Sequence, residues 1–441
     1  MPEHPSGTLL QLVRPWVVPP LLAVIVLTVG AESAVIAGGT HVVGAPGLLL
    51  VLVASAGWAL VVSDERAERH PLWIAIAIGT ALAIGLVVPP RDSHDLWSYV
   101  MYGRMVSVHH MSPYTHVPID FRLDPFFGRV GAGWRHAVSV YGPLFTVASA
   151  ALTRIAGGSA LRERVAFQGL ATMSVVVTLV LIWRTTHSAR ALAFLGLHPA
   201  VITAIGNGGH NDALVGLAIV AGTLLVSRKR WAGAGFVIGL GILVKASGLI
   251  GLVGLGAWSF RRDRRGTARL VAASAGTTAI GYAPAGISAV RAVAHAGNGN
   301  TRASVWDPIS SLLHPNTTTM LVGMAALTVI AAFGWRAARR PQTTTLAVLA
   351  ASLVGGVYVL AWYPAWALPT AALERRSRLS ALVAAHAAFL VAVYEYERPN
   401  HTTLHGAWGI VRDVIVQAGA WTALALFVAL LARAWPRQPA E

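Results

Sequence analysis

The segment IAIAIGTALAIGLVV (residues 74–88) leads directly into PPRDSHDLWSYVMYGRMVSVHHMSPY (residues 89–114). The first segment belongs to an apolar run close to the ~20 residues that a helix needs to cross a bilayer. In lipid every backbone amide must be satisfied within its own segment, so such a run predicts a helix and not a barrel strand. The second segment concentrates aspartate, histidine, arginine and tyrosine, and it predicts a polar site at the mouth of a membrane helix.

Apolar runs of this kind recur along the whole chain. Hydrophobic residues make up 55% and charged residues 12% of its 441 positions, which is more apolar surface than a soluble fold can bury. The runs lie near residues 15–38, 46–62, 72–89, 141–156, 165–184, 191–206, 211–227, 231–259, 267–284, 319–334, 344–361, 379–394 and 411–432. They predict an all-α, polytopic transmembrane bundle of about 11 to 13 spans, in a single integral membrane domain over residues 1–441.

The positive charge follows the expected membrane topology. A net charge of +16 could indicate a nucleic-acid partner, but the arginines form short clusters between the apolar runs. These clusters are RKR (228–230), RRDRRGTAR (261–269), RAARR (336–340) and RRSR (375–378). Because lysine and arginine accumulate in cytoplasmic loops, this distribution indicates a lipid bilayer as partner and argues against nucleic acid. The chain has no cysteine, which excludes disulfides and thiol chemistry.

Two polar excursions, residues 90–140 and 285–318, interrupt the apolar runs. The first follows the third span and holds four of the nine aspartates, and nine aromatic residues lie between Trp97 and Tyr141 at its end. Counting from a cytoplasmic N-terminus, with the basic loops inside, places both excursions on the extracytoplasmic side. This count requires that residues 141–190 cross the membrane only once, although two apolar runs lie there.

Asp95 is the first candidate for chemistry, because ionisable groups beside membrane spans are costly and mark functional sites. Its spacing to Tyr99 and Tyr102 predicts one carboxylate and two phenols on one side of a short helix. Such a carboxylate can act as general base towards a substrate hydroxyl, whereas Asp92 or Asp95 as a helix cap is the alternative. Arg104 is a candidate to bind a phosphate bidentately, or to pair with an aspartate or lipid headgroups at the interface.

The histidines of the first excursion are weaker candidates. His109, His110 and His116 could be drawn with Asp120 as a metal site. Their spacing fixes neither a tetrahedral nor an octahedral ligand set, and exposed histidines in an aromatic loop are commoner than ligands. No metal or other cofactor is therefore predicted.

The stretch GNGGHNDALVG (206–216) places four polar side chains at the start of a span, namely Asn207, His210, Asn211 and Asp212. Its glycines permit close approach of a ligand to the backbone, and a helix N-terminus favours anions. The stretch therefore predicts a binding site, with Asp212 as a simple helix cap being the alternative.

Two further features lie inside apolar runs. Lys245 stands alone in GLGILVKASGLIGL (239–252), where a buried ammonium needs a phosphate or Asp212 as partner, unless it extends to the interface. AWYPAWALP (361–369) contains two prolines that break a helix, and its tryptophans and tyrosine are expected in the aromatic belt at the membrane surface, without a ligand.

Several of these pieces occur in the order found in a known family. DSHDLWSYVMYGRMVSVHHMSPY (92–114), YGPLF (141–145), GLHPAVITAIGNGGHNDALVG (196–216), ILVKASGLI (242–250) and YPAWALP (363–369) resemble the polyprenol-phosphate-mannose-dependent α-1,6-mannosyltransferases of actinobacteria, in the GT-C glycosyltransferase class. The resemblance covers most of residues 85–370. Its most specific marks are the acidic residue before the aromatic SY stretch, the GGHNDA loop and the lysine that follows.

The resemblance implies a GT-C fold, a lipid-linked mannose donor in the outer leaflet of the bacterial plasma membrane, a glycolipid acceptor at the same face and inversion at the anomeric carbon. Matching the family pattern S-x-D-x-x-S-Y assigns the catalytic carboxylate to Asp95, and Trp97 departs from the tyrosine that is usual there. The candidate donor and substrate contacts are Tyr99, Arg104, Tyr114, Tyr141, Asn207, His210, Asn211, Asp212 and Lys245.

Two alternatives to mannosyl transfer onto a lipomannan-type glycolipid stay open. One is a transferase for another polyprenyl-phosphate sugar, and the other is a secondary transporter or lipid flippase with Asp212 and Lys245 at the membrane midplane. Transporters usually show inverted repeats with matching broken helices, and the sequence has no matching halves. A transferase needs a platform for its acceptor, which the aromatic and acidic first excursion offers, so an enzyme is favoured.

Overall fold

A computed structural model describes residues 20–38, 45–91, 93–294, 301–396 and 407–435 of the chain. Within these ranges the protein is all-helical, without a strand, as predicted. The α-helices there are α1 (Pro20–Ala37), α2 (Ala45–Ser63), α3 (Pro71–Val87), α4 (Asp95–Ser107), α5 (Pro143–Ala156), α6 (Ala160–Thr186), α7 (Ala189–Gly196), α8 (Asp212–Ser227), α9 (Trp231–Val244), α10 (Gly248–Phe260), α11 (Arg264–Tyr282), α12 (Gly286–Ala294), α13 (Trp306–Leu313), α14 (Thr317–Trp335), α15 (Pro341–Val354), α16 (Leu368–Leu373), α17 (Arg378–Tyr396) and α18 (Ala407–Ala434).

Several helices have the dimensions of membrane spans. Six are long and apolar enough to cross a bilayer, namely α1, α2, α6, α14, α17 and α18. A seventh span results if α7 and the π-helical segment Ala200–Gly206, which meet at a 47° bend, are counted together. Six apolar helices of 10–17 residues accompany them, namely α3, α5, α8, α9, α10 and α15. The chain is thus a multi-pass membrane protein with a helical-bundle architecture, and the number of crossings stays a prediction.

The apolar run 231–259 does not form the single span that its hydropathy predicts. Instead, α9 ends at Val244, Lys245 is extended with φ −156° and ψ 137°, and α10 begins at Gly248. Gly248 packs tightly on the end of α9, where a Cβ would lie 2.7 Å from the backbone nitrogen of Ile242. Hydropathy cannot detect the break because the residues on both sides of it are equally apolar.

The first excursion contains a regular element, since α4 occupies its early part. α4 runs beside α5 in the same direction, and a Cβ on Gly103 would come 2.5 Å from the carbonyl oxygen of Ser149. The hydroxyls of Ser107 and Thr153 are hydrogen bonded at 2.9 Å across the same pair of helices. α5 has 14 residues and α6 has 27, lengths that agree with one complete crossing between residues 141 and 190. That topology stays a prediction.

Glycines allow several helices of the bundle to pack closely against neighbouring segments. A Cβ on Gly235 of α9 would lie 2.1 Å from the carbonyl oxygen of Leu270 on α11, and a Cβ on Gly216 of α8 would lie 2.1 Å from that of Ala365. Such close backbone approach is typical of helix packing in membranes. The α8–α9 hairpin carries the basic turn 228–230 at one end and the beginning of α8 together with the α9–α10 break at the other.

Candidate active site

Asp95 is the first residue of α4, and its carboxylate contacts a later residue of the first excursion. The indole nitrogen of Trp134 donates a 2.8 Å hydrogen bond to Asp95 Oδ1. The N-cap position belongs to His94, so Asp95 is not the helix cap that was the alternative interpretation. Its backbone amide donates to Ser93 Oγ at 3.0 Å. Asp92, the other residue considered as a cap, lies outside the described residues.

His210 flanks Asp95 from a different part of the chain. Its Nδ1 lies 3.7 Å from Asp95 Oδ2 and 3.4 Å from the hydroxyl oxygen of Tyr99. Its ring stacks on the indole of Trp362, with 3.8 Å between centroids and 13° between planes. The buried Nε2 has no hydrogen-bond partner within the part of the chain that the structure describes. The structure therefore brings together Asp95, Tyr99 and His210, which the sequence proposed from separate motifs.

Burial shifts the pKa values of Asp95 and His210 in opposite directions. Removal from water raises the pKa of the Asp95 carboxyl above its usual value, opposed in part by the Trp134 hydrogen bond and by the positive charge of Lys245. Burial, together with the Lys245 charge, holds the pKa of the His210 imidazole well below its usual value. Burial therefore favours the neutral form of His210 and increases the proton affinity of the Asp95 carboxylate, as a general base requires.

The tyrosines near Asp95 form a packed aromatic wall. Tyr99 meets Tyr141 edge to face at 4.9 Å and Phe145 at 5.0 Å. The hydroxyl of Tyr114 donates to the Tyr141 carbonyl at 3.0 Å and is hydrogen bonded to Thr146 Oγ1 at 2.8 Å. Tyr114 thus fastens the excursion to the start of α5, whereas Tyr99 and Tyr141 belong to the aromatic wall near Asp95.

Asn207 has a supporting position. Its Nδ2 donates to the carbonyl oxygens of Gly85, Val88 and Pro89 at 3.0 to 3.2 Å. Its Oδ1 accepts from the backbone amide of Arg91 at 3.0 Å. Because these four bonds join the end of α3 to the first residues of the excursion, Asn207 orients the segment that leads to Asp95.

Asp212 and Lys245 form a buried ion pair beside this centre. Lys245 Nζ donates to Asp212 Oδ1 at 2.8 Å and Oδ2 at 3.0 Å, and Trp366 Nε1 donates to Oδ1 at 2.7 Å. Lys245 Nζ also lies 4.6 Å from the ring centroid of Tyr363, a cation–π distance. The neighbouring Asn211 is buried, and neither polar atom of its amide has a hydrogen-bond partner among the described residues. Asp212 is therefore the partner of Lys245 that the sequence suggested.

Arg104 lies away from this centre. Nine residues separate it from Asp95, about 14 Å along the helix. Its Nε donates to both carboxylate oxygens of Asp124 at 3.0 Å, and His109 Nε2 is hydrogen bonded to Asp124 Oδ2 at 2.8 Å. Of the two alternatives considered for Arg104, a phosphate contact and an ion pair with an aspartate, the structure shows the ion pair. No group of three or more His, Cys, Asp or Glu residues within the described ranges could hold a metal ion.

Three tryptophans at the site escape inference from the sequence. Trp134 binds Asp95, Trp362 stacks on His210 and Trp366 binds Asp212. The expectation that AWYPAWALP serves only as a lipid-facing aromatic belt is wrong, because Trp362 is 3% and Trp366 7% exposed. The two prolines of that segment were the available signal, since a broken helix inside a membrane bundle tends to line a polar cavity.

The chain is similar to known membrane glycosyltransferases. The family model described as alpha-(1->6)-mannopyranosyltransferase, N-terminal domain, matches residues 8–261, and that of glycosyltransferase family 87 matches residues 140–394. Alpha-(1->6)-mannopyranosyltransferase A of Corynebacterium glutamicum is 27% identical over 197 residues, which are 43% of this chain and 40% of that relative. Its namesake from Mycobacterium tuberculosis is 26% identical over 388 residues, 78% of this chain and 72% of the relative.

The alignment with the Corynebacterium protein spans less than half of that relative's length. No solved structure matches the chain with significance. The first family model covers more than half of the chain, including Asp95, His210 and Lys245, and the second overlaps it and includes Trp362 and Trp366. This protein therefore belongs to the alpha-(1→6)-mannopyranosyltransferase family of membrane glycosyltransferases.

Proposed function

We propose that the protein transfers a mannosyl group from a polyprenyl-phosphate-mannose donor to a hydroxyl of a glycolipid acceptor, forming an α-1,6 linkage with inversion at the anomeric carbon. The observation that carries this proposal is the pairing of a base and a cation in one site. Asp95 offers a carboxylate of raised pKa, whose value responds to the nearby charges of Lys245 and Asp212. A transfer from a phosphate leaving group needs these two functions.

The chemistry follows from those two groups. The acceptor oxygen forms a bond to the anomeric carbon while the bond from that carbon to the phosphate oxygen breaks. The hydroxyl proton passes to Asp95, and the electron pair of the broken bond leaves on the phosphate. A phosphate carries this charge without protonation, so no general acid is required. The arrangement corresponds to the base half of an inverting glycosidase, with a sugar hydroxyl in place of water.

Lys245 is the proposed cation for the departing phosphate. Its ammonium has three donors, and two hydrogen bonds from it reach Asp212. A third donor can bind a phosphate oxygen while Asp212 and Tyr363 keep the ammonium in position. Neutral His210 and the amide of Asn211, both buried and with unpartnered polar atoms among the described residues, are the proposed hydrogen-bonding contacts of the transferred sugar.

The outer face of the membrane is the proposed side of the reaction. Asp212 begins α8 and Lys245 follows α9, so the basic turn 228–230 lies at the opposite end of this hairpin. The basic residues after α10 lie near those after α14, where Arg262 Nη2 donates to the Ala338 carbonyl at 2.7 Å. Since such clusters mark the cytoplasmic side, Asp95 and Lys245 belong to the extracytoplasmic side. The polyprenyl tail of the donor would lie between helices in the bilayer.

The test is transfer of radiolabelled mannose from polyprenyl-phosphate-mannose to endogenous glycolipid in membranes that carry the wild-type chain, Asp95→Asn or the control Asp64→Asn. We expect Asp95→Asn to abolish transfer and retain donor binding, and Asp64→Asn, which alters an exposed cap outside the site, to resemble the wild type. Turnover retained in Asp95→Asn would remove Asp95 as the base. Wild-type membranes that transfer another polyprenyl-phosphate sugar, and not mannose, would refute the donor assignment.

A further inference from the structure

A cavity lies at the far end of α4 from Asp95. It has a volume of about 630 Å³, opens to the surface and is bounded by the C-terminal turn of α4 and by residues 119–125 of the first excursion. The helix rise places it roughly 14 to 20 Å from Asp95, too far for any group there to take part in the transfer itself. The reaction at Asp95 leaves this cavity without a role.

The polar floor of the cavity is preformed. Asp124 accepts from Arg104 Nε at 3.0 Å, is hydrogen bonded to His109 Nε2 at 2.8 Å and accepts from the backbone amide of Phe126 at 2.9 Å. The side chain of Asp124 is 1% exposed and that of Arg104 10%, so this network is held rigidly. His109, which is 27% exposed, presents its imidazole edge at the rim. A ligand would therefore meet donors and acceptors that are already oriented.

The remaining lining is divided between apolar and charged side chains. Phe121 lies 4.5 Å from the His109 ring, and Val108, Ile119 and Leu123 add apolar surface. The charges of the cavity come from Arg104 and Arg122 against Asp120 and Asp124.

Because two positive and two negative groups balance, the cavity does not favour a phosphate or another anion. Side-chain carboxylates and guanidinium groups around an apolar ring suit a neutral ligand with several hydroxyls and an apolar face. A pyranose ring has both properties.

A series of packed residues connects the lining of this cavity to the surroundings of Asp95. Trp97, one turn into α4, stacks on Phe126 at 6.2 Å, and the Arg104 guanidinium lies 4.8 Å from the same Phe126 ring. On the other side, the Ile119 amide donates to the Arg135 carbonyl at 2.9 Å, directly after the Trp134 that binds Asp95. The cavity and Asp95 therefore lie at the two ends of one packed unit built on α4.

We propose that this cavity binds a sugar unit of the acceptor oligosaccharide, several hexose units away from the hydroxyl that is glycosylated. The inference rests on the proposed function, because it takes the acceptor to be a glycan. Binding at this distance lowers the KM of acceptors that are long enough to reach the cavity and leaves kcat unchanged, since the contacts are equal before and during transfer. Phe121 and Arg122 are then determinants of acceptor length.

The kinetic test compares a short synthetic acceptor, an α-1,6-linked mannose disaccharide on an alkyl chain, with an octasaccharide on the same chain. We expect the wild type to prefer the octasaccharide, and Phe121→Ala and Arg122→Ala each to raise its KM roughly tenfold, as expected for one lost charge-assisted or stacking contact. Their KM for the disaccharide should not change. His136→Ala, an exposed residue of the same excursion that does not line the cavity, is the control.

A binding measurement separates this inference from the proposed reaction. Saturation-transfer NMR with free α-1,6-oligomannoside and the detergent-solubilised protein detects the contact without any donor. Binding that Phe121→Ala and Arg122→Ala abolish, in a protein that transfers no mannose, would support the cavity and reject the proposed reaction. Transfer with equal KM for both acceptors, or binding that both variants retain, would overturn the cavity as an acceptor site.

Discussion

The Asp212–Lys245 pair allows a structural contribution to be separated from a catalytic one. Lys245→Met removes the ammonium and leaves a carboxylate that is fully buried, with Trp366 as its remaining side-chain donor. Asp212→Asn combined with Lys245→Met removes both charges and keeps an oxygen that accepts from Trp366. Lys229→Met is the matched control, because Lys229 is the chain's other lysine and lies exposed in a turn.

The magnitudes follow from the burial of the pair. Breaking a buried ion pair by removing one partner costs about 3–5 kcal/mol, because the other charge stays uncompensated. Lys245 is 17% exposed, so we expect Lys245→Met to lose about 3 kcal/mol of unfolding free energy, at the lower end of that range. The double variant should recover most of this loss, since neither charge is left. Transfer should stay reduced by about 10² to 10³ in both variants, as for the loss of one group that stabilises developing charge.

The assays are equilibrium unfolding in mixed micelles and mannosyl transfer at saturating donor. Lys229→Met should match the wild type in both. Additive losses of stability in the double variant would show that the two residues are not coupled. A double variant that regains wild-type transfer together with its stability would refute Lys245 as the phosphate cation and leave the pair a purely structural role.

Two further outcomes are expected. A general base must be deprotonated, so transfer should fall at acid pH. Trp134→Phe removes a hydrogen bond that lowers the pKa of Asp95, and it should therefore move this fall to higher pH, whereas Trp97→Phe should leave the position of the fall unchanged. A pH profile of Trp134→Phe identical to that of the wild type would contradict the assignment of Asp95 as the base. Gly103→Ala should cost about 1–3 kcal/mol of unfolding free energy in mixed micelles, because its Cβ would collide with the backbone of α5, while Gly169→Ala on α6, with no atom in contact range of its Cβ, should be tolerated.

Most helix positions could be predicted because they depend on local composition. The run 46–62 became α2 (Ala45–Ser63) and the run 211–227 became α8 (Asp212–Ser227). Bilayer-spanning helices satisfy their own backbone hydrogen bonds, so length and hydropathy determine them with little help from tertiary contacts. One exception is the 47° bend between α7 and the π-helical segment within the run 191–206. Another is the break at Lys245, where a charged residue before Ala-Ser-Gly ends a helix inside an apolar run. The lysine itself was the usable signal, because a continuous helix would have left its ammonium among apolar side chains.

Site residues could be predicted where they share a motif, or where a buried charge requires a partner as Lys245 requires Asp212, and not where a tryptophan reaches them through the fold. Asp95 and Tyr99 are four residues apart on one helix, so their spacing suffices. The contact between Trp134 and Asp95 spans 39 residues, and that between Trp366 and Asp212 spans 154. The sequence does not distinguish a tryptophan that binds a carboxylate from one that faces lipid. Only tertiary packing distinguishes the two.

Arg104 shows the limit of reasoning along a single helix. It shares α4 with Asp95, yet its guanidinium pairs with Asp124, and the proposed phosphate cation comes instead from the break between α9 and α10. The base and the cation are therefore held by different elements, α4 in the excursion and the α8–α10 bundle. Gly142, which caps α5 beside α4, donates its amide to the Val244 carbonyl at 2.9 Å, directly before Lys245. A Cβ on Gly142 would lie 2.1 Å from the Leu243 carbonyl oxygen, so this close contact between the excursion and the end of α9 requires glycine.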